Sequence, residues 1–327
     1  MTFSAGLDAL CALPSLSLAQ YPTPIEPLSR LRAALGAGPR LLVKRDDAIS
    51  FGFGGNKVRK IEMLAASALD DDADALITTG GVQSNHCRVT AAAAARLGMR
   101  CVIVANGAPP PRATGNALLD RLFGAEVEYV ATREDRAPAM EAIAERLRSD
   151  GMHPVVIPLG ASTPLGSAGY ARAVGELVSQ LDEPPDYIFH STSSGGTQAG
   201  LVAGCTLHGL TTRVIGISAD EPAGRLRATV AGIVEGLGEL LGMDGKKLAA
   251  ARPIEVDTRF IGEGYGAPTE ASSEAQSLLA RTEALVVDHT YTAKALAGMI
   301  GWVREERFRE SDTVMFWHTG GQVAVFA

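Results

Sequence analysis

The sequence has few aromatic residues, few cysteines and no excess of positive charge. Of its 327 residues only 5% are aromatic and 4 are cysteines, and the formal net charge is −7. No Cys-x-x-Cys pair occurs, so the sequence predicts neither a zinc knuckle nor a redox dithiol, and a disulfide scaffold would need many more cysteines. The acidic balance argues against a nucleic-acid-binding protein. The cysteines are therefore interpreted as reduced thiols: Cys11, Cys87, Cys101 and Cys205.

Patterns typical of membrane and metal-binding proteins are also missing. No apolar run approaches the roughly 20 residues that cross a membrane. The N-terminal segment has no basic residue before its mildly apolar stretch, unlike a signal peptide. The 6 histidines show no His-x-x-x-His spacing, so no metal site is predicted. We expect a soluble, cytoplasmic protein that binds a small molecule, with no membrane or nucleic-acid partner.

Short apolar segments alternate with helical patterns along the chain. Helices are predicted over residues 89–97, 116–123 and 137–148. This rhythm indicates an α/β fold with open, mostly parallel twisted sheets and helices on both faces, in which ligands bind at the carboxyl ends of the strands. The predicted strands cover residues 75–79, 100–105, 125–130, 154–158, 187–190, 214–218, 284–287 and 314–317.

The segment FGFGGNKVRK, residues 51–60, is the first candidate ligand loop. Its glycines let the backbone turn sharply, and Asn56 is predicted to cap a helix that begins at Lys57. Lys57 and Lys60 lie three residues apart and therefore project from one side of that helix. Two cations at a helix N-terminus oppose the helix dipole unless an anion lies between them, so the spacing fits either an anion site or two ordinary surface lysines.

Two further loops follow predicted strands. The segment GGVQSNH, residues 80–86, offers the polar side chains of Gln83, Ser84 and Asn85, which could bind a ligand or simply cap the next helix. The segment SSGGTQAG, residues 193–200, presents backbone N–H groups and hydroxyls at a helix start, a pattern suited to a monophosphate. It lacks a Walker lysine and the dinucleotide glycine spacing.

The remaining candidates are two tyrosines in polar loops. Tyr265 lies in GEGYGAP and Tyr291 in DHTYTAK, where an acid–base or stacking role competes with ordinary packing. A phosphate loop, a lysine at a helix start and hydroxyl-bearing loops together suit pyridoxal phosphate, which needs an amine for its Schiff base and a site for its dianion.

Six segments resemble one known family. In chain order they read KRDDAISFGFGGNKVRK, TTGGVQSNHCRVTAAAAARLGM, SSGGTQAG, GEGYGAP, YTAKALAGMI and HTGG. They resemble the D-cysteine desulfhydrase and 1-aminocyclopropane-1-carboxylate deaminase family, pyridoxal-phosphate enzymes of fold type II (the tryptophan-synthase β-subunit fold). The resemblance runs from about Tyr21 to the end of the chain. It implies a large domain of residues 1–57 and 164–327, a small inserted domain of residues 58–163, the cofactor in the cleft between them, and a homodimer.

The resemblance also implies roles for the cofactor residues. Lys57 would form the Schiff base, Lys60 would lie near the phosphate, and Asn85 would donate a hydrogen bond to the phenolic oxygen of the cofactor. The family's phosphate-binding loop is matched by Ser194, Gly195, Gly196 and Thr197.

On the substrate side, Ser84 matches the hydroxyl beside the substrate carboxylate and α-carbon, with Gln83 and Asn85 as its neighbours. Tyr265 and Tyr291 match the two active-site tyrosines of the family. These residues, with Lys57, are the predicted catalytic and substrate-binding set.

Two positions separate the subfamilies. The deaminases carry Glu directly after the second tyrosine and Leu in the C-terminal H-x-G-G motif, where this chain has Thr292 and Thr319. The resemblance is therefore to the desulfhydrases, in which a neutral hydroxyl faces the pyridine nitrogen. It implies an α,β-elimination that converts D-cysteine to pyruvate, hydrogen sulfide and ammonia. The alternatives are an L-cysteate sulfo-lyase, a 1-aminocyclopropane-1-carboxylate deaminase and a non-catalytic homologue.

Overall fold

The structure is a computed structural model that describes residues 3–327. Its strands are β1 Ile25–Pro27, β2 Arg40–Arg45, β3 Ala75–Gly81, β4 Arg100–Asn106, β5 Glu126–Val130, β6 Pro154–Ile157, β7 Tyr187–Thr192, β8 Arg213–Ser218, β9 Glu255–Asp257 and β10 Thr313–His318. Its helices are α1 Phe3–Ala12, α2 Ser29–Ala34, α3 Lys57–Asp70, α4 Asn85–Leu97, α5 Gly115–Leu122, α6 Arg136–Ser149, α7 Pro164–Gln180, α8 Gly196–Leu207, α9 Ala223–Leu240, α10 Gly245–Ala250, α11 Glu270–Glu283 and α12 Thr292–Arg304.

Within residues 3–327 the strands form two sheets. One has the order β1-β2-β10-β7-β8-β9 and the other the order β5-β4-β3-β6. All neighbours are parallel except β1 and β2. On both faces of each sheet, apolar side chains of the strands pack against apolar side chains of helices. The predicted α/β architecture of two mostly parallel sheets is confirmed.

One predicted strand is wrong. Residues 284–287 form no strand: Ala284 caps the C-terminus of α11 in the left-handed conformation (φ 55°), and Leu285 and Val287 pack against the face of the six-stranded sheet instead of pairing with a strand. The carbonyl of Val287 accepts a hydrogen bond from the Gln276 side chain, and that of Val286 accepts one from His318. Side chains therefore satisfy the carbonyl groups that a strand would pair with a neighbour.

A buried polar cluster ties α3 to the six-stranded sheet. Asp46 is fully buried and accepts hydrogen bonds from Arg59 (Nη2–Oδ1, 2.8 Å), Trp317 (Nε1–Oδ2, 2.8 Å) and Tyr170 (Oη–Oδ2, 2.5 Å). Arg59 belongs to α3, and Trp317 belongs to β10. The paired charges fix the first turn of α3, which carries Lys57, against the sheet.

No helix within residues 3–327 is both long and apolar enough to cross a bilayer. The acidic segment around Asp71 and Asp72 is a turn between α3 and β3, and Asp74 accepts a hydrogen bond from the backbone of His153.

Candidate active site

Loops at the carboxyl ends of both sheets line one cavity of about 570 Å³. The loop after β3 contributes Ser84, the loop after β7 contributes residues 193–195, and Thr319 follows β10. This is where a parallel sheet is expected to bind its ligand, because the strand ends leave polar loop groups and helix N-termini facing the same space.

The N-terminus of α3 is held by contacts with two other loops. Asn56 does not cap the helix as predicted: its side-chain amide donates a hydrogen bond to the Thr197 hydroxyl (2.9 Å), and its backbone N–H donates to the Thr319 carbonyl (2.9 Å). The predicted side-chain cap does not form, because the Asn56 side chain is directed to Thr197 and its backbone is already helical (φ −56°, ψ −21°). These bonds place Lys57, the next residue, at the centre of the cavity wall.

Lys57 lines the cavity with its amine free of partners. Within residues 3–327 no hydrogen bond or ion pair to this amine is found, and no carboxylate offsets its burial. Burial therefore lowers the pKa of Lys57 to about 8. An amine with a lowered pKa is partly neutral near neutral pH, as a nucleophilic lysine requires.

Lys60 lies behind the cavity and does not line it. Its Nζ donates hydrogen bonds to the Gly160 carbonyl (3.1 Å) and the Ser162 hydroxyl (3.2 Å). Burial, together with the charge of Lys57, lowers its pKa well below the ordinary value. A Cβ atom added to Gly196 would come within 2.7 Å of this Nζ, so the amine supports the start of α8 from behind.

Residues 193–197 form a cradle for an anion. Gly195 has φ 80°, a conformation that glycine adopts without strain, and it turns the chain from β7 into the buried helix α8. Ser194, Gly195 and Thr197 line the cavity, while the Ser194 hydroxyl is bonded to that of Ser162 (2.8 Å). The N-terminus of α8, with its helix dipole, borders this space, and the Gly196 N–H donates a hydrogen bond to the Ser162 hydroxyl (3.3 Å). The buried Thr192 hydroxyl beside the cradle has no partner among the described residues.

The three polar residues of the loop after β3 make different contacts. Ser84 caps α4 by accepting a hydrogen bond from the Cys87 N–H (3.3 Å), and it also lines the cavity. Asn85 lines the cavity too. Gln83 does not, because its side chain accepts a hydrogen bond from the Asn116 N–H (2.8 Å) and donates one to the Thr114 carbonyl (3.2 Å).

The orientation of the Asn85 amide is fixed by two donors. Its Oδ1 accepts hydrogen bonds from Arg88 (2.9 Å) and Asn116 (3.0 Å). No acceptor for its NH₂ group is found among residues 3–327, which leaves that group available to a ligand in the cavity. The predicted hydrogen bond to an oxygen of the cofactor needs a donor of this kind.

The two predicted tyrosines meet at the cavity. Their hydroxyl oxygens are 2.5 Å apart and their rings pack edge to face. Burial raises the pKa of both Tyr265 and Tyr291, and that of Tyr291 well above its ordinary value, so both stay protonated at neutral pH.

The two threonines occupy different environments. Thr319 lines the cavity, with its hydroxyl 3.3 Å from that of Ser191. Thr292 does not line it: its hydroxyl donates a hydrogen bond to Asp288 (2.6 Å) at the start of α12. Of the two hydroxyls that were expected to lie at the cofactor, only that of Thr319 belongs to a residue that lines the cavity.

Several residues that support the site were not predicted from the sequence. Asp288 is fully buried and accepts hydrogen bonds from the backbone N–H groups of Thr290, Tyr291 and Thr292. An Asp just before a helix is a recognisable cap signal, so this residue could have been found. Lys294 donates to the carbonyls of Ile261 (2.7 Å) and Gly264 (2.8 Å) and so holds the loop of Tyr265. No local sequence pattern predicts the contacts of Lys294.

Comparison with known proteins decides the family. The family described as "Pyridoxal-phosphate dependent enzyme" matches residues 16–320. The chain belongs to this family. This pyridoxal-phosphate-dependent enzyme is 36% identical over 329 residues to a protein named D-cysteine desulfhydrase from Klebsiella pneumoniae (strain 342), covering 98% of both chains. It is also 36% identical to the protein of that name from Salmonella typhi, over 328 residues and 98% of both chains.

Solved structures agree with this assignment. A crystal structure of an ACC deaminase homologue matches with a TM-score of 0.90 and 32% identity, over 98% of this chain and 96% of that one. The processed form of threonine deaminase isoform 2 from Solanum lycopersicum matches with a TM-score of 0.70 and 18% identity, over 98% of this chain and 84% of that one, which shows the shared fold. The predicted family and fold type II architecture are confirmed.

The residues of the cavity fit pyridoxal phosphate. The unpartnered Lys57 amine suits the aldehyde, the cradle at residues 193–197 suits the phosphate, and the NH₂ group of Asn85 suits the phenolic oxygen. When bound, the cofactor withdraws electrons from the α-carbon of an amino acid.

Proposed function

We propose that the protein is a lyase that removes the β-substituent of a small amino acid, with D-cysteine as the first candidate substrate. The relatives named D-cysteine desulfhydrase, at 36% identity over 98% of the chain, support this substrate. The observation that carries the proposal is the placement of Lys57, Ser84 and the Tyr265–Tyr291 pair on one cavity. A base, a hydroxyl and a protonated donor are what this elimination uses.

In the proposed reaction the neutral Lys57 amine, or Ser84, takes the α-proton. The C–S bond breaks and the sulfur leaves as thiolate. In this proposal Tyr291, which stays protonated because burial raises its pKa, returns a proton to the thiolate. The remaining enamine tautomerises and reacts with water, so D-cysteine and water give pyruvate, hydrogen sulfide and ammonia. Expulsion of a good leaving group such as thiolate needs less electron withdrawal by the cofactor than the opening of a cyclopropane ring does. The neutral hydroxyl of Thr319, in place of an ionised group, is consistent with this lower requirement.

One observation favours a second substrate. Three arginines line the cavity: Arg133, Arg136 and Arg225. Arg225 is paired with Glu221, and Arg133 lies over the Tyr265 ring at 5.4 Å. Guanidinium groups bind oxyanions well, so an L-cysteate sulfo-lyase remains the alternative.

The test is a panel of D-cysteine, L-cysteine, L-cysteate and 1-aminocyclopropane-1-carboxylate, assayed for pyruvate, sulfide, sulfite and 2-oxobutyrate. We expect pyruvate and sulfide in equal amounts from D-cysteine, and none from the Lys57→Ala variant. Release of sulfite from L-cysteate at a higher rate than release of sulfide from D-cysteine would support the L-cysteate sulfo-lyase instead. A fully loaded enzyme that turns over no member of the panel would contradict the proposed lyase activity.

We further propose the division into a large domain of residues 1–57 and 164–327 and a small domain of residues 58–163. Both sheets respect this division, since β3 to β6 span residues 75–157 and all other strands lie outside that range. A homodimer and a cytoplasmic location belong to the same proposal, and the elution volume of the holoenzyme in size-exclusion chromatography tests the first of these.

A further inference from the structure

A second cavity, of about 200 Å³, lies between α5 and strands β4 and β5. We call it the Asp120 cavity. Among the described residues, Gly81 is the one that lines both this cavity and the active-site cavity. The residues that matter for its chemistry are Val82, Ile103, Ala117, Asp120, Arg121 and Tyr129.

Asp120 is a buried carboxyl group with an unused hydrogen-bond acceptor among the described residues. Only 4% of its surface is exposed, and its Oδ1 atom has no hydrogen bond within residues 3–327. The charge of Arg88 is nearby, but Arg88 donates its hydrogen bonds to Asn85, Asn116 and the Gly54 carbonyl. Burial raises the pKa of Asp120 to about 7, and the charge of Arg88 offsets this only in part. The buried Arg88 guanidinium is thus a charge partner of Asp120 but not a hydrogen-bond partner, and the Asp120 carboxyl group keeps an acceptor atom that a ligand can use.

The other groups near Asp120 do not neutralise it. The buried thiols of Cys87 on α4 and Cys101 on β4 lie within its field, and burial raises the pKa of each, so they stay uncharged. Arg121 on the same helix is exposed, and the Tyr129 ring is half exposed at the rim. The lining therefore contains one buried acidic group in an aliphatic surface and no buried donor that could bind the carboxylate of an amino acid.

We propose that the Asp120 cavity binds the ammonium group of a small aliphatic amine, with Asp120 as its counter-ion. The aliphatic wall takes the hydrocarbon part, and the ammonium supplies the hydrogen bond that Asp120 lacks. An apolar cavity of roughly 150 Å³ holds a molecule of the size of benzene, so a ligand of about five to eight non-hydrogen atoms suits this one. The inference is independent of the proposed lyase activity.

The test titrates the holoenzyme by calorimetry, above the pKa of Asp120, with N,N-dimethylethylammonium. This tertiary amine has five non-hydrogen atoms and cannot form a C=N bond with the cofactor aldehyde. The control ligand is tert-butanol, which has the same number of non-hydrogen atoms and no charge. The control protein is Asp120→Asn, which keeps the shape of the side chain and removes its charge.

We expect saturable binding of the ammonium to the wild type with one site per chain. Asp120→Asn should weaken it by about tenfold or more, as expected for the loss of a charge-assisted hydrogen bond. The wild type and Asp120→Asn should bind tert-butanol equally weakly. Without ligand, circular dichroism should show that Asp120→Asn is folded, so that a loss of binding reports the loss of the carboxylate charge.

A second variant, Ala117→Leu, fills the cavity and leaves Asp120 in place, and it should also lose binding. If Ala117→Leu fails to fold, the comparison of the ammonium affinities of the wild type and Asp120→Asn tests the proposal by itself. Absence of binding to the wild type, or equal affinity of the wild type and Asp120→Asn for the ammonium, would overturn the proposal.

Discussion

The hydroxyl oxygens of Tyr265 and Tyr291 lie 2.5 Å apart, although the residues belong to different segments of the chain. Tyr291 directly precedes α12, where Asp288 accepts a hydrogen bond from its backbone N–H (2.9 Å). Tyr265 lies in a loop that Lys294 holds through the Gly264 carbonyl (2.8 Å). One helix terminus therefore positions both members of the pair.

The Tyr291→Phe variant should lose most of its activity. Tyr291 is the more strongly protonated member of the pair, because burial and the Tyr265 hydroxyl both raise its pKa. Removal of a proton donor typically lowers the rate by about 10²–10⁴-fold. The measurement is kcat for pyruvate release at equal cofactor loading. Tyr265→Phe is the matched control and should be less damaging, since Tyr291 keeps its proton. The reverse order of severity would contradict this assignment.

Reconstitution of the apoprotein should follow the lowered pKa of Lys57. The neutral amine is the nucleophile, and burial lowers the pKa to about 8, so the rate of cofactor attachment should rise with pH and level off near that value. The formation of the visible absorption band measures this rate. Nα-acetyl-lysine is the solution control, and its reaction should keep rising to about pH 10. A protein profile that tracks the control would contradict the role of burial.

The glycines of the cradle should be intolerant of substitution. Gly195→Asp places a side chain at φ 80° and adds a negative charge where the phosphate is expected. We expect this variant to fold, by circular dichroism, and to lose its cofactor during purification. Gly232→Ala on α9 is the control, because a Cβ there meets no atom within 4 Å, and it should keep the cofactor. Purification of Gly195→Asp with a full cofactor complement would show that the phosphate binds elsewhere.

The two threonines should respond differently to replacement by valine. Thr319→Val removes a hydroxyl on the cavity and should shift the absorption band of the bound cofactor. Thr292→Val removes the donor to buried Asp288 and should instead lower the free energy of unfolding by about 1–3 kcal/mol. Visible spectra and urea denaturation measure the two effects. A spectral shift in Thr292→Val with none in Thr319→Val would reverse the assignment.

Local patterns predicted much of the fold and of the site. Gly-rich segments after strands marked the loops around Lys57, Ser84 and residues 193–197, because turns and helix starts depend on neighbouring residues. Contacts between distant segments could not be predicted this way. The side chain of Asn116 donates a hydrogen bond to Asn85, 31 residues away in the sequence, and that of Asn56 donates one to Thr197, 141 residues away.

The same limit explains the errors in strand prediction. Residues 284–287 are apolar enough for a strand, yet the Gln276 side chain takes the Val287 carbonyl. Strand β2 has only three consecutive apolar residues between charged ends, and it forms because β10 pairs with it along its whole length. In both cases the partner, and not the segment itself, determines the structure.

Reduction of the holoenzyme with borohydride, followed by peptide mapping, identifies the lysine that holds the cofactor. Borohydride fixes the cofactor to the lysine that holds it, and the chain offers other buried lysines as internal controls: Lys44, Lys60 and Lys294. We predict that Lys57 alone carries the cofactor. Because Lys60 donates its hydrogen bonds behind the cradle, it should stay unmodified. A cofactor adduct on Lys60, Lys44 or Lys294, with Lys57 unmodified, would contradict the account.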